Sequence, residues 1–401
     1  MTAQSPNPAR IMMVAGEASG DLHGGALAEA LLKEDPSLQI VGFGGTAMRR
    51  AGVEVIFDIA QLGVVGIFEV FLHLKSVWEA YRMGVKTLES GVDLLVLIDY
   101  PDFNLRLAKA AKQRGVPVVY YISPQVWAWR AGRVKTIGER IDQMLVILPF
   151  EERIYTEAGI PCEFVGHPLL DEAASAQLKY PSKSAYLEGC GLLPEGTTIG
   201  LLPGSRHREV LSHLPTMLEA MALLAKEIPG LQLLVPVAPS LSKEWVLDLT
   251  RRVDLPLRCV EGEFQEVLRA SDAVVVASGT ATLQTALAQA PMVIVYKLSP
   301  LTYWLARRLI RLKSIGLVNI VAGRPIVPEL IQAEASPERI RQEVGRLLKD
   351  GVARERMKGD LKEVAERLGA AGASSRAAAV ILERLKRGRV MRERKSPRGT
   401  G

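Results

Sequence analysis

The chain has 401 residues, a length that allows two domains with a hydrophobic core in each. Apolar residues make up 48% and charged residues 23%, a balance that excludes a disordered, collagen-like or coiled-coil chain. The three cysteines match no disulfide framework or zinc-binding spacing, so we expect a reducing cytosol. We expect no signal peptide, because the first ten residues lack a charged region followed by an apolar one, and no membrane-spanning helix, because no apolar run is long enough.

The net charge of +6 is concentrated at the carboxyl end. Residues 384–401 contain eight lysines or arginines and one acid, Glu393, so the rest of the chain carries a net charge of −1. Three interpretations stay open. The end is simply solvated, or it contacts anionic lipid, to which each basic residue contributes about 1 kcal/mol. The third, nucleic-acid binding, is disfavoured because no aromatic residues are interleaved with the charges.

Short apolar runs alternate with helical patterns, which is typical of parallel sheets. The first series predicts strands at 11–16, 39–44, 53–57, 93–98, 117–122, 143–148 and 162–166, with helices at 22–33, 68–89, 103–114 and 130–140. The second series begins near Thr198 with the runs IGLLPGS, LQLLVPVA, LPLRCVE, DAVVVAS and PMVIVYK. The pattern predicts an α/β fold with two Rossmann-like domains, each built on a parallel sheet, that face an interdomain cleft.

The predicted domain boundaries follow from this alternation. They are an amino-terminal Rossmann-like domain at 1–170, a linker at 171–196, a carboxyl-terminal Rossmann-like domain at 197–350, helices at 351–383 and a basic tail at 384–401. Ligands of such sheets bind at the carboxyl ends of the strands, so the loops that leave the strands are the candidate functional segments.

Two loops of the first half carry acids. The first predicted strand leads into GEASGD, where glycines allow close backbone approach and Glu17 suits sugar hydroxyls, although Asp21 alone is equally explained as a helix cap. The fourth strand ends at Asp99, a candidate general base for an attacking hydroxyl. Asp102 is better explained as a helix cap. The spacing of the two acids, without a histidine, disfavours a metal site.

The fifth predicted strand leads into SPQVWAWR, which combines Gln125, Trp127 and Trp129 with the cationic Arg130. An apolar wall beside a cationic group suits a substrate, and core packing is the alternative for either tryptophan. The segments 63–72 and 303–313 are rich in bulky apolar residues, and the second also in basic ones, which indicates a lipid substrate or core packing. His167 is best explained as a structural histidine.

Two loops of the second half suit phosphate. The guanidinium of Arg206 in LPGSR presents N–H donors in a geometry that matches phosphate oxygens. Ser278, Gly279 and Thr280 in ASGTAT directly precede a predicted helix, whose amino end favours an anion. Two phosphate sites with an arginine and no Walker lysine favour a nucleoside diphosphate that is a leaving group, and not hydrolysis of ATP.

These motifs together carry a family resemblance. They are, in order, VAGEASGDLHG, GIFEV, IDYPDFNLRLAK, YYISPQVWAWR, LPFEE, FVGHPL, LLPGSR, ASGTATL and PMVIVYK. Between about residue 10 and about residue 370 the chain resembles the lipid-A-disaccharide synthases. The resemblance implies a GT-B glycosyltransferase of lipid A biosynthesis that needs no bound metal or other cofactor. It implies inverting transfer of 2,3-diacylglucosamine from UDP-2,3-diacylglucosamine to 2,3-diacylglucosamine 1-phosphate (lipid X), which yields UDP and a β-1,6-linked tetra-acyl disaccharide 1-phosphate.

The resemblance also implies roles for individual residues. Asp99 is the expected base on the acceptor 6-hydroxyl. The expected substrate-binding residues are Glu17, Ser19, Gln125, Trp127 and Asn319. The expected UDP-binding residues are Arg206, Ser278, Gly279, Thr280 and Gln284. Gln284 stands where the family usually has a glutamate that binds the ribose hydroxyls. An amide cannot make the charge-assisted pair of hydrogen bonds that a carboxylate makes, and we expect this to weaken ribose binding by about 1 kcal/mol.

The resemblance further implies a Gram-negative bacterium and peripheral contact with the cytoplasmic face of its inner membrane. It also implies a homodimer through exchange of carboxyl-terminal segments, and no nucleic-acid partner. Two alternatives remain. One is another GT-B enzyme that acts on a UDP-sugar, such as a peptidoglycan glycosyltransferase or an epimerase, which the SPQVWAWR and IDYPDFN loops argue against. The other is a non-enzymatic nucleotide-sensing or RNA-binding protein.

Overall fold

Alternating apolar runs and turns fold into two parallel sheets in a computed structural model that describes residues 8–62, 69–129, 132–175, 178–251, 253–298 and 314–395. The first sheet contains β1 Arg10–Val14, β2 Gln39–Gly44, β3 Glu54–Asp58, β4 Leu94–Ile98, β5 Val118–Tyr121, β6 Gln143–Val146 and β7 Cys162–Phe164. The second contains β8 Thr198–Leu202, β9 Gln232–Val237, β10 Leu257–Glu261, β11 Ala273–Ala277, β12 Met292–Tyr296 and β13 Glu329–Ile331.

Helices connect these strands throughout the described part of the chain. Those of the first half are α1 Ala18–Glu34, α2 Thr46–Arg50, α3 Glu69–Glu89, α4 Pro101–Gln113, α5 Val126–Trp129, α6 Arg133–Gly138, α7 Glu151–Thr156 and α8 Leu169–Ser175. Those of the second half are α9 Lys183–Gly189, α10 His207–Ala225, α11 Lys243–Thr250, α12 Phe264–Ala270, α13 Ala281–Leu287, α14 Leu317–Ala322, α15 Pro337–Lys349, α16 Gly351–Arg367 and α17 Ala373–Lys395.

Both sheets have the strand order of a Rossmann fold. The orders are β3-β2-β1-β4-β5-β6-β7 and β10-β9-β8-β11-β12-β13, and every pair of neighbouring strands is parallel. The prediction of an α/β fold with two Rossmann-like sheets is confirmed. Each sheet has helices on its two faces, so the central strands are buried on both sides.

Successive residues of each central strand point to opposite faces of the sheet. In β5, Tyr120 packs into the hydrophobic cluster on one face and Tyr121 into the cluster on the other. Neither tyrosine is exposed to solvent.

The chain divides into two compact units, and the last helix belongs to the first of them. One unit is Met1–Asp171 with Ala370–Gly401, and the other is Glu172–Gly369. The apolar side chains of α17 complete the core against α1; they are Ala377, Ala378, Ile381 and Leu385. The Asp171 carboxylate accepts hydrogen bonds from the backbone N–H groups at the start of α17.

Helix α1 begins at residue 18, four residues before its predicted start. The glycines near its amino end predicted a loop. In the structure they allow α1 to pack closely against α2. A Cβ on Gly24 would approach the Met48 sulfur to 2.8 Å, and one on Gly25 would approach the Ala47 carbonyl carbon to 3.0 Å. Residues 63–68 of the predicted segment 63–72, the whole segment 303–313, Arg130 and residues 396–401 of the basic tail lie outside the described residues.

Candidate functional site

The order of strands reverses beside β1 and β4 in the first unit and beside β8 and β11 in the second. Ligands of open α/β sheets bind at such switch points, outside the carboxyl ends of the strands. The loops that leave these four strands are Gly16–Glu17, Asp99–Tyr100, Pro203–Arg206 and Ser278–Thr280. They are the loops singled out by their composition, so the fold puts the predicted polar residues at the expected edge of each sheet.

Backbone strain is concentrated at the carboxyl ends of β4 and β5. Asp99 and Tyr100 have φ angles of 46° and 47°, and Ile122 has a φ of 67°. Side chains other than glycine rarely adopt this left-handed conformation, and each instance costs about 1–3 kcal/mol. Such strain persists where the surrounding structure enforces it, and it is common at functional sites.

The carboxyl group of Asp99 is an unusually weak acid. Burial raises its pKa to about 6, and the negative charge of Glu17 adds to the rise, whereas a hydrogen bond from the Tyr100 backbone opposes it. A carboxylate with a pKa near 6 is a stronger base than an ordinary aspartate and is still ionised at neutral pH. The raised pKa of Asp99 is therefore compatible with a role in proton abstraction.

The Gly16 position is fixed by the ring of Tyr100. A Cβ on Gly16 would overlap the Cγ and Cδ1 atoms of Tyr100, an overlap that no side chain tolerates. The glycine is required here by close approach, because the Tyr100 side chain of the strained turn packs directly on it.

Replacing Gly16 by alanine is expected to lower the free energy of unfolding by about 1–3 kcal/mol, the usual cost of overpacking. We also expect a loss of activity, since the added methyl group displaces Tyr100 and with it the Asp99 turn. Urea unfolding and an activity assay on the same preparation measure both effects. Gly359→Ala is the control, because nothing lies within 4 Å of a Cβ at Gly359. Wild-type behaviour of Gly16→Ala would contradict the prediction.

Asp21 is a buried helix cap, but the helix that it caps is α2 and not α1, which follows the first loop. It lies within α1, and its carboxylate accepts hydrogen bonds from the N–H groups of Gly45 at 2.6 Å, Ala47 at 2.9 Å and Met48 at 3.1 Å. It therefore caps α2. Glu17 is the N-cap residue of α1 and makes no side-chain cap bond, and both Glu17 and Ser19 are exposed.

The loop after β5 is held by a buried carboxyl group. The indole N–H of Trp127 donates to Oε1 of Glu151 at 3.0 Å, and the backbone N–H of Leu148 donates to Oε2 at 3.2 Å. The Trp127 ring also meets Phe150 edge to face, with the centroids 5.2 Å apart. Gln125 is exposed, and Trp127 is half-buried. Trp127 is thus fixed in place, and Gln125 is free to contact a ligand.

Glu151 was not identified from the sequence, although it follows directly on an apolar segment in LPFEE. It is 2% exposed, and burial raises its pKa to about 7 despite the hydrogen bond from Trp127. A raised pKa in the folded state means that the carboxyl contributes most stability below its unfolded pKa. That contribution is lost as the pH rises through 7.

Glu151→Gln is expected to remove this pH dependence. Between pH 5 and pH 8 the free energy of unfolding of the wild type should fall by about 2 kcal/mol more than that of the variant. Chemical denaturation across this pH range measures the difference. The control is Glu157→Gln on the exposed end of the same helix. Parallel pH profiles of wild type and Glu151→Gln would show that Glu151 does not titrate in this way.

Two histidines of the first unit are held in the neutral form. Burial lowers the pKa of His23 to about 4 and that of His167 to about 3, and each of the two would be repelled by a charge on the other. The Nδ1 atom of His167 accepts a hydrogen bond from the N–H of Leu169 at 3.2 Å. This agrees with the structural role predicted for His167.

One cavity of about 550 Å³ opens at the carboxyl ends of β8 and β11. Its walls include every residue predicted to bind UDP: Arg206, Ser278, Gly279, Thr280 and Gln284. Phe264, Pro236 and Val237 add an apolar side. A cavity with one polar, cationic wall and one apolar wall has the size and chemistry of a nucleotide site.

The Arg206 guanidinium is available to an anion. Its side chain is 77% exposed, with Nη1 3.1 Å from Oε1 of Glu209. The other carboxylate oxygen of Glu209 accepts the N–H groups of Ser205 at 3.0 Å and Arg206 at 3.3 Å. Glu209 thus fixes the backbone of the LPGSR loop at the start of α10.

The turn between β11 and α13 needs glycine at its centre. Gly279 has a φ of 156°, which is rarely accessible to other residues. Ser278 donates its hydroxyl to the Ile315 carbonyl at 3.0 Å, and Thr282 donates its hydroxyl to the Gly279 carbonyl at 2.8 Å. Thr280 makes no side-chain cap bond. The hydroxyl of Ser278 is therefore already engaged, whereas Thr280 is exposed in the wall of the cavity, and its contact with a ligand stays a prediction.

His213 links the LPGSR loop to the end of β12, a role that its sequence position did not reveal. One ring nitrogen, Nε2, accepts the N–H of Lys297 at 3.0 Å, which leaves Nδ1 to donate to the Pro203 carbonyl at 2.9 Å. The ring is 2% exposed, and burial lowers its pKa. The neutral imidazole bridges two loops beside the cavity.

Asn319 is not in the wall of this cavity. It is 2% exposed, and its Oδ1 accepts the N–H groups of Ile326 and Val327 at 2.8 and 3.0 Å. Its Nδ2 donates to the Val327 carbonyl at 2.9 Å and to Glu329 at 2.7 Å. Because protein atoms use all of these groups, the structure supports a role in loop geometry, and direct substrate contact by Asn319 stays a prediction.

The residues described by the structure offer no metal centre and no membrane span. No three histidine, cysteine, aspartate or glutamate side chains among them are grouped to hold a metal ion. No helix in the described ranges has the length and apolar character to cross a bilayer.

Two Rossmann-like units, each with polar loops at its switch point, define the GT-B fold. Known structures share this fold: the kitacinnamycin glycotransferase has a TM-score of 0.60 and 16% identity, and covers 95% of this chain and 100% of its own. UDP-GlcNAc 2-epimerase from Neisseria meningitidis, solved with UDP-GlcNAc, has a TM-score of 0.62 and 11% identity, and covers 94% and 100%. Residues 11–382 match the family model of lipid-A-disaccharide synthetase, and the chain belongs to that family.

Curated relatives agree with this assignment over nearly the whole chain. The lipid-A-disaccharide synthase of Geobacter metallireducens is 46% identical over 382 residues, which is 95% of this chain and 98% of the relative. That of Myxococcus xanthus is 45% identical over 385 residues, which is 96% of this chain and all of the relative. The family resemblance stated from the motifs is confirmed.

Proposed function

We propose that the chain transfers 2,3-diacylglucosamine from UDP-2,3-diacylglucosamine to 2,3-diacylglucosamine 1-phosphate, with inversion at the anomeric carbon. The products are the β-1,6-linked tetra-acyl disaccharide 1-phosphate of lipid A biosynthesis and UDP. The observation that carries the proposal is the family match over residues 11–382. The cavity that gathers Arg206, Gly279, Thr280 and Gln284 supports it, since these groups suit a diphosphate and its ribose.

The second unit binds the donor. The Arg206 guanidinium lies against the diphosphate and stabilises the negative charge that grows on it as the sugar leaves. Thr280 and the backbone at Ser278 and Gly279 donate hydrogen bonds to phosphate oxygens. Gln284 accepts one ribose hydroxyl through its amide oxygen.

The first unit binds the acceptor. Asp99 takes the proton of the acceptor 6-hydroxyl while the hydroxyl oxygen bonds to the anomeric carbon of the donor, and the bond from that carbon to UDP breaks. Glu17 and Ser19, exposed at the start of α1, hold sugar hydroxyls, and Gln125 and Trp127 form a further wall for the substrate. UDP leaves as an anion, and the diphosphate-binding groups of the second unit offset its negative charge.

The reaction takes place at the cytoplasmic face of the inner membrane, where the acylated substrates reside. The protein associates there peripherally, and its basic carboxyl end adds attraction to anionic lipid. The proposed homodimer exchanges carboxyl-terminal segments, so that α17 of one copy would pack on α1 of the other in the way that it packs on α1 within one chain. Flotation with anionic vesicles and light scattering after gel filtration test these two points.

The proposed reaction is tested by release of UDP from UDP-2,3-diacylglucosamine with and without lipid X. Release that depends on the acceptor, with a disaccharide product in the mass spectrum, is the expected result. UDP-N-acetylglucosamine serves as the competing donor. Epimerisation or transfer of N-acetylglucosamine, without reaction of the acylated donor, would favour the alternative GT-B enzyme. Binding of RNA by folded protein that turns over neither donor would favour the non-enzymatic alternative.

A further inference from the structure

We infer that Tyr120 and Asn104 are positioning residues, which hold the left-handed turn at Asp99 and so present its carboxyl group to the acceptor. The inference rests on the proposed role of Asp99 as the base. Tyr120 lies within β5 and Asn104 within α4, and the hydrogen bonds that they make to Asp99 go to its backbone carbonyl. Both donate to the backbone of the same turn.

The carbonyl oxygen of Asp99 is the shared acceptor. The Tyr120 hydroxyl donates to it at 2.5 Å from the neighbouring strand β5, and Nδ2 of Asn104 donates to it at 2.7 Å from the first turns of α4. The same Nδ2 donates to the Ile98 carbonyl at 3.2 Å. Three hydrogen bonds thus converge on two successive carbonyls at the place where the chain enters the strained conformation.

Burial makes these contacts rigid. Tyr120 and Asn104 are both fully buried, so neither the hydroxyl nor the amide is exposed to bulk solvent. Burial also keeps the pKa of Tyr120 well above its ordinary value, so the hydroxyl retains its proton and remains a donor at neutral pH. The left-handed backbone conformation of Asp99 and Tyr100 is unfavourable by itself, so hydrogen-bond donors from other parts of the fold are needed to stabilise it.

Asn104 is retained in spite of a cost to stability. Its Oδ1 atom is buried and has no hydrogen-bond partner. A buried acceptor without a donor destabilises the folded state, and an apolar side chain of similar size would avoid that penalty. The NH₂ group of the same amide accounts for asparagine at this position, because only that group donates hydrogen bonds to the carbonyls of the turn.

Tyr120→Phe is the primary test, since it removes one hydroxyl and keeps the ring in the core. We expect kcat to fall about 10-fold, the effect of one lost hydrogen bond, with KM for both substrates unchanged. The acidic limb of the pH profile should move down by about one pH unit, because a relaxed turn returns the Asp99 carboxyl to solvent. A residue with a merely structural role would leave that limb in place.

Tyr121→Phe is a matched control within the same strand. Tyr121 is equally buried, but on the opposite face of the sheet, where its hydroxyl faces Ser374 at the start of α17 and not the Asp99 turn. This variant should keep wild-type kcat and pH dependence. Asn104→Leu is the second variant, which removes both amide donors. We expect it to lower kcat more than Tyr120→Phe, by about 10- to 100-fold.

A double-mutant cycle with Asp99→Asn tests whether the two residues act through Asp99. In the Asp99→Asn background, Tyr120→Phe should cause no further loss, because the base is already absent. Additive losses would overturn the inference, and so would wild-type kcat and pH profile in folded Tyr120→Phe. Failure of the proposed function looks different, because Asp99→Asn would then itself be fully active or the wild type would not transfer the acylated sugar.

Discussion

Asp99→Asn is expected to lower kcat for sugar transfer about 1,000-fold while substrate binding persists. The amide cannot accept the proton of the 6-hydroxyl, although it fills the same space. Asparagine also tolerates the left-handed backbone conformation at this position, so the turn should survive the change. Steady-state UDP release and equilibrium binding of both substrates measure the two halves of the prediction.

The pH dependence of the wild type belongs to the same prediction. The base must be ionised, so kcat should decrease as the pH falls below about 6, the pKa to which burial and Glu17 raise Asp99. Asp102→Asn is the control, since Asp102 lies exposed in the first turn of α4 and pairs with Arg133. Activity of Asp99→Asn close to that of Asp102→Asn would exclude Asp99 as the base.

Arg206→Ala is expected to lower kcat/KM for the UDP-sugar by about 100- to 1,000-fold, the range found when one charge-stabilising donor is removed. The loss should appear in kcat as well as in binding of UDP, because the charge on the leaving diphosphate increases during the reaction. Arg206→Lys should recover only part of the loss, since an ammonium group does not offer two parallel donors.

Arg208 gives the matched control for this arginine. It lies two residues further along, is exposed, and is absent from the walls of the cavity. Arg208→Ala should therefore retain wild-type kinetics. Equal effects of the two substitutions would indicate a general role of positive charge on α10 and not a specific contact of Arg206 with the diphosphate.

The strands and the site loops were predictable from local patterns. The central strands are short apolar runs that are buried on both faces, and each candidate loop joins such a run to a helix through glycine, serine or an acid. Gly16, Asp99, Arg206 and Gly279 could be identified in this way, because their chemistry depends on position at the end of a strand.

Residues that act through tertiary packing were not predictable. Tyr120 and Tyr121 are adjacent in the same apolar run, and only the three-dimensional structure shows which hydroxyl meets the Asp99 carbonyl. The raised pKa of Glu151 likewise depends on how deeply its helix packs. The family resemblance implied substrate contact by Asn319, whereas protein atoms in the fold use all of its side-chain hydrogen-bonding groups.

The position of α17 has a consequence for how the chain folds during synthesis. The apolar face of α1 is covered by Ala377, Ile381 and Leu385, which the ribosome adds some 350 residues after α1 itself. At a translation rate of about 5–20 residues per second, that face stays open for roughly 20 s or longer. The second unit is contiguous and can fold in that interval. The unit that begins first is therefore the last to be completed, and a nascent chain carries an exposed α1 surface for chaperones until its final helix leaves the exit tunnel.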